Sequence, residues 1–110
     1  MKKVFFSRRT VTYLSDLVET LYINDYFGFK DEAKKYVEEL VREVEKNIDT
    51  MPKKKAPRYF SKYGDGLYYI RCRRNKNTTW YFFFSIRKDG YYIEYIGNNH
   101  IISQYHKIPN

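Results

Sequence analysis

Arg71 and Arg73 lie two residues apart in the segment Tyr68-Tyr69-Ile70-Arg71-Cys72-Arg73-Arg74. On a strand they would share a face and present two planar guanidinium forks to one phosphodiester. Ribonuclease action by 2′-hydroxyl attack needs a proton acceptor, a proton donor and cations on the pentacoordinate phosphate. The two arginines would supply the cations. His100 is the proton-transfer candidate whose ordinary pKa suits that work best, with His106 second. Tyr105 could stack on a base or assist the transfer, while Arg58, Lys62, Arg74 and Lys76 would grip flanking phosphates. Tyr69 and Tyr81 would lie beside them as base-stacking rings. The chemistry calls for no metal or cofactor, and the sequence shows no convincing cluster of Asp, Glu or His to bind one.

These residues sit inside a local concentration of charge. The net charge is +8, and residues 53–76 hold Lys53, Lys54, Lys55, Arg58, Lys62, Arg71, Arg73, Arg74 and Lys76 against one acid, Asp65. The first 52 residues come to −1 and the last 34 to +1, so the rest of the chain is close to neutral. Cations interleaved with Tyr and Phe in this way point to nucleic acid as a partner. Lys53-Lys54-Lys55 follows Pro52 and reads as a solvated linker run that adds long-range attraction without geometry. Cys72 is the single cysteine, so no intramolecular disulfide or C-x-x-C pair is possible, and its alternation with the basic positions predicts a small buried apolar residue.

The elements that must position this chemistry follow from periodicity. A chain of 110 residues with 43% hydrophobic and 20% aromatic content is expected to be one globular domain, 1–110. The opening apolar run, Val4-Phe5-Phe6, is shorter than a signal-peptide core, and no stretch approaches the roughly 18 residues of a membrane span. A cytoplasmic location without membrane association is therefore expected. Val4–Phe6 reads as a short strand. Val11, Leu14, Val18 and Leu21 then stripe a helix to about Asn24, and Ala33, Val37, Leu40, Val41, Val44 and Ile48 stripe a second that Pro52 ends. The two should form an antiparallel hairpin.

Segments 59–63, 67–73, 79–86 and 91–96 are rich in aromatic and β-branched residues and are separated by Gly64-Asp65-Gly66, Asn75-Lys76-Asn77 and Asp89-Gly90. They predict an antiparallel meander. Its period sends Tyr68, Ile70, Cys72, Trp80, Phe82, Phe84, Ile86, Tyr91, Ile93 and Tyr95 toward one face. Tyr69, Arg71, Arg73, Tyr81, Phe83, Tyr92 and Glu94 would remain on the solvent face. The predicted class is α+β: a short N-terminal strand and an antiparallel helix hairpin packed on a three- to four-stranded antiparallel sheet.

This order of elements resembles the RelE/ParE superfamily of toxins from bacterial toxin–antitoxin pairs. Lys3-Val4-Phe5-Phe6-Ser7-Arg8-Arg9-Thr10-Val11 with Leu14-Ser15-Asp16-Leu17 is similar to the family's opening strand and helix start. Tyr63-Gly64-Asp65-Gly66-Leu67-Tyr68-Tyr69-Ile70-Arg71 is similar to its second-strand entry, and Tyr92-Ile93-Glu94-Tyr95-Ile96-Gly97 to its last strand. The resemblance implies either cleavage of mRNA in the ribosomal A site, as in RelE-like members, or binding of DNA gyrase, as in ParE-like members. It also implies a cognate antitoxin protein as partner, and a third reading is a non-catalytic binding module whose open sheet face docks an acidic, largely disordered antitoxin segment or another protein. Laid over the RelE pattern, Arg71 falls on a basic position of the second-strand segment and Tyr105 on the tyrosine after the last strand. Asn99 and Tyr81 stand where RelE carries arginines, and Tyr69 where it carries a lysine.

Overall fold

In the computed structural model, which describes residues 2–23 and 28–100, the chain folds into a mixed five-stranded sheet with a helix hairpin on one face. The elements are β1 (Lys3–Phe6), α1 (Arg8–Ile23), α2 (Lys30–Asn47), β2 (Lys54–Lys55), a short 3-10 helix (Arg58–Tyr63), β3 (Tyr68–Asn75), β4 (Thr78–Arg87) and β5 (Gly90–Asn98). The sheet order is β1-β5-β4-β3-β2. β3, β4 and β5 form the expected meander, but β1 pairs parallel with β5 and Lys54–Lys55 adds a fifth strand at the other edge. The three- to four-stranded antiparallel expectation is corrected to that extent, because the helix hairpin carries the chain from β1 to β2 at the opposite edge and the meander then runs back across the sheet, bringing β5 alongside β1.

Local chemistry explains the helix starts. The Thr10 N–H donates to Ser7 Oγ at 3.3 Å, so Ser7 caps α1. Asp31 and Glu32 lie in the first turn of α2 and Lys46 in its last, each favourable to the macrodipole. The α2 stripe is as predicted, with Ala33, Leu40 and Val44 fully buried. In α1 the stripe is rotated: Val11 is 54% exposed, whereas Thr10 and Leu17 are buried. β1 can dock only because residue 90 is glycine, since a Cβ there would collide with the Lys3 carbonyl oxygen.

Two cores share the sheet. On the helix side Leu17, Val37, Leu40, Val44 and Ile48 pack against Ile70, Cys72, Trp80, Phe82, Phe84, Ile93 and Ile96. The Trp80 indole N–H donates to the Tyr36 hydroxyl at 2.9 Å. On the other side Phe60, Leu67, Tyr69, Tyr81 and Phe83 form a second cluster. Residues 59–63 build this cover, so the strand expected there is corrected to a short helix. Pro57 precedes it, and Gly66, in the left-handed region at φ 64°, turns the chain back into β3.

Burial pushes the Cys72 thiol up to about 12, with the Glu43 carboxylate adding to the effect and Arg74 opposing it. Tyr13 is raised to about 12 by burial, and Tyr91 by burial and its 2.8 Å hydrogen bond to Asp49. Each group keeps its proton to higher pH when folded, so the associated stability is whole below pH 9 and drains away as pH climbs toward about 12. The urea midpoint is expected to fall between pH 8 and pH 11, and Cys72 to resist thiol reagents at pH 8 until the chain is unfolded. An unchanged midpoint with a reactive thiol would contradict this packing.

Candidate nucleic-acid interface

Strand alternation in β3 places Ile70 and Cys72 toward the helices and Tyr69, Arg71 and Arg73 on the opposite face. The short helix covers one end of that face. Phe60 stacks on Phe83 with centroids 4.3 Å apart, and Tyr63 stacks on Tyr95 at 4.1 Å. Beneath this cover Tyr69 is 3% exposed and Tyr81 2%. Both were expected as base-stacking rings on a solvent face; they are interior, as is Phe83, because residues 59–63 supply a second layer.

The cover ends before Arg71, and both Arg71 and Arg73 are exposed on this face. Arg71 pairs across the sheet with Tyr81 and Arg73 with Thr79. Burial makes the Tyr81 phenol hold its proton more tightly, while the Arg71 guanidinium pulls in the other direction, which marks the two side chains as neighbours. Arg73 Nε donates to the Asn75 carbonyl at 3.2 Å, holding that guanidinium toward the β3–β4 turn. Lys76 is exposed in the turn itself.

His100 is exposed and reaches the same end of the sheet. Asn99 Oδ1 accepts from the Thr79 N–H at 2.9 Å, and Asn99 Nδ2 donates to the Asn77 carbonyl at 3.1 Å. Thr79 is the cross-strand partner of Arg73, so residues 99–100 stand two strands from Arg73, about 10 Å away. The structure therefore gathers Arg71, Arg73, Lys76 and His100 at one end of the sheet. Tyr105 and His106 lie outside the described residues.

Arg74 does not join them. Strand alternation turns it, with Ile70 and Cys72, to the helix side, where its Nη1 lies 3.1 Å from Glu43 Oε1. Its expected phosphate contact is corrected to an ion pair with α2. Arg58 and Lys62 are exposed on the short helix. Lys62 Nζ donates to the Tyr59 hydroxyl at 3.0 Å and lies over the Tyr59 and Tyr63 rings, at 4.2 Å and 5.3 Å from their centroids.

Arg9, not anticipated from the sequence, lies over the other side of this aromatic ledge. Its guanidinium is 5.0 Å from the Tyr63 ring centre, and its Nε donates to the Glu94 carbonyl at 3.2 Å. Glu94 is the extra residue of a bulge in β5, since Phe83 pairs with Tyr95 but Phe84 with Ile93. The bulge moves Tyr95 onto the Tyr63 side, against the alternation expected for Tyr91, Ile93 and Tyr95. Only the Arg8-Arg9 pair after Ser7 hinted at this cation; the ring it meets is more than fifty residues away in sequence.

Among the described residues no group of three or more His, Cys, Asp or Glu side chains is placed to hold a metal ion, and no helix is long and apolar enough to cross a membrane. No protein-family model, curated protein or solved structure matches the chain.

Proposed function

We propose that this chain is a RelE-like toxin that cleaves mRNA on the ribosome and is neutralised by a cognate antitoxin. The observation that carries the reading is the state of the two arginines. Arg71 and Arg73 stand exposed on one face, and among the described residues no carboxylate pairs with either, whereas the adjacent Arg74 is neutralised by Glu43. Two unpaired guanidinium groups can hold a phosphodiester and its developing charge, with His100 at the same sheet end as the proton-transfer group. The order strand, helix hairpin, sheet supports the same reading.

Burial of Tyr69 and Tyr81 favours a second reading. Those positions stand where RelE-like members carry cations, and here they are interior. A ParE-like gyrase inhibitor needs no nuclease site at all. Incubating the purified chain with translating ribosomes and a reporter mRNA, and in parallel with gyrase and relaxed plasmid, separates the two. The proposal expects translation-dependent cleavage with supercoiling untouched. Intact mRNA with supercoiling inhibited would reject it in favour of gyrase.

A further inference from the structure

On the helix side, away from Arg71 and Arg73, a charged cleft lies between α2 and the end of β3. Glu39, Arg42, Glu43, Lys46 and Asn47 line it from α2 and Arg74 from β3, and it holds about 320 Å³, room for one small molecule. Spacing on the helix sets like charges beside each other, since Arg42 and Lys46 are four residues apart, as are Glu39 and Glu43. Opposite charges also lie within a turn, Glu39 with Arg42 and Glu43 with Lys46. Even so, among the described residues neither Arg42 nor Lys46 forms a salt bridge. Glu43 turns to Arg74 instead, with its Oε1 3.1 Å from Nη1. The Arg74 Nε is buried and has no acceptor among the described residues, which costs stability unless an acceptor reaches it. The cleft thus sets two unneutralised cations beside a guanidinium with an unused donor.

We propose that this cleft binds a sugar phosphate, a small hydroxylated molecule carrying a phosphate monoester. The phosphate would lie among Arg42, Lys46 and Arg74, with the two guanidinium groups as planar forks and the Lys46 ammonium as a point charge. Arg74 keeps Glu43 on Nη1 and offers its remaining N–H groups. Glu39 repels a bare anion, so its place in the lining favours a ligand with hydroxyl groups, whose protons a carboxylate accepts; Asn47 can donate to or accept from such groups. Carbonyls at the end of α2 disfavour an anion only within the last turn, and Arg42 lies before it. A nucleic-acid strand is a poorer occupant, because its successive phosphates would run past Glu39 and Glu43. The inference is independent of the ribonuclease reading, which uses the opposite face of the sheet.

The test titrates ribose 5-phosphate, and separately inorganic phosphate, into the isotopically labelled chain and follows amide shifts. Ribose 5-phosphate is expected to move residues 39–47 and Arg74 and to leave Arg71 and Arg73 in place. An Arg42→Gln, Lys46→Gln variant alters two exposed side chains, so it should fold like the parent and bind roughly tenfold more weakly. A Lys34→Gln, Lys35→Gln variant removes the same charge from exposed positions of the same helix and should change affinity less than about twofold. Glu39→Gln should hold inorganic phosphate at least as well as the parent while its preference for ribose 5-phosphate shrinks severalfold. Absence of ribose 5-phosphate binding, equal losses in the two double variants, a preference that survives Glu39→Gln, or shifts centred on Arg71 overturns the proposal. An oligouridylate that displaces ribose 5-phosphate from residues 39–47 assigns the cleft to RNA and overturns it as well. Ribose 5-phosphate binding in a chain that cleaves no mRNA upholds the cleft and removes the ribonuclease reading.

Discussion

An Arg71→Ala, Arg73→Ala double variant is expected to fold like the parent chain and to leave reporter mRNA intact. Both side chains are exposed, and neither makes a salt bridge to a described residue, so the change in unfolding free energy should stay within about 0.5 kcal/mol. Arg73 gives up one exposed hydrogen bond to the Asn75 carbonyl, which leaves that oxygen to water. The effect on cleavage should be large, because each group is asked to hold charge that develops at the phosphate. Removing one such donor costs roughly a hundredfold in rate, and the two together more. RNA affinity should also become less salt-dependent, with the log–log slope shallower by about 2. Parental cleavage by this variant would move the site elsewhere on the chain.

Phe60→Ala should do the reverse and strike stability first. Phe60 is 2% exposed, stacks on Phe83 and meets Tyr59 edge-on with centroids 5.1 Å apart. Truncating a buried aromatic of this kind costs about 4 kcal/mol, a large part of the 5–15 kcal/mol that holds a domain together. With a urea slope of about 2 kcal/mol/M the midpoint should drop by about 2 M. The loss should be accompanied by faster amide exchange along residues 58–66 and by exposure of Tyr69 and Tyr81. A midpoint shift below about 0.5 M would mean that the short helix does not cover the sheet.

The helix hairpin was legible because a stripe at helical spacing has one reading: Ala33, Val37, Leu40 and Val44 could face only one way. The meander was legible from its turn residues. What could not be read was the second layer. Tyr59 to Tyr63 has the composition of a strand, and nothing local says that Phe60 will fold back on Phe83, a contact across more than twenty residues. Without that contact Tyr69 and Tyr81 look like stacking platforms. The bulge at Glu94 was equally hidden, because one extra residue in β5 leaves the alternation intact on either side and only exchanges the faces. Of the candidate site, Arg71 and Arg73 were correctly placed on one exposed face by strand period alone. Arg74 was legible by the same period, which puts it on the helix face after Ile70 and Cys72; its charge alone suggested a phosphate contact, and Glu43 of α2 takes it instead.

The two-sided core also bears on how the chain avoids sticking to itself before it is folded. Trp80-Tyr81-Phe82-Phe83-Phe84 is buried at every position, so the middle of β4 offers neither face to water. An uncharged, proline-free run of this kind is an aggregation hazard while it is unpaired. Its neighbours in the sheet are also its neighbours in the chain, joined by tight turns, so hairpin closure on the microsecond scale can sequester it early. Arg73, Arg74 and Lys76 stand on one flank and Arg87 and Lys88 on the other. Whatever else these cations bind in the folded protein, during folding they act as gatekeepers that keep one chain's β4 from finding another's.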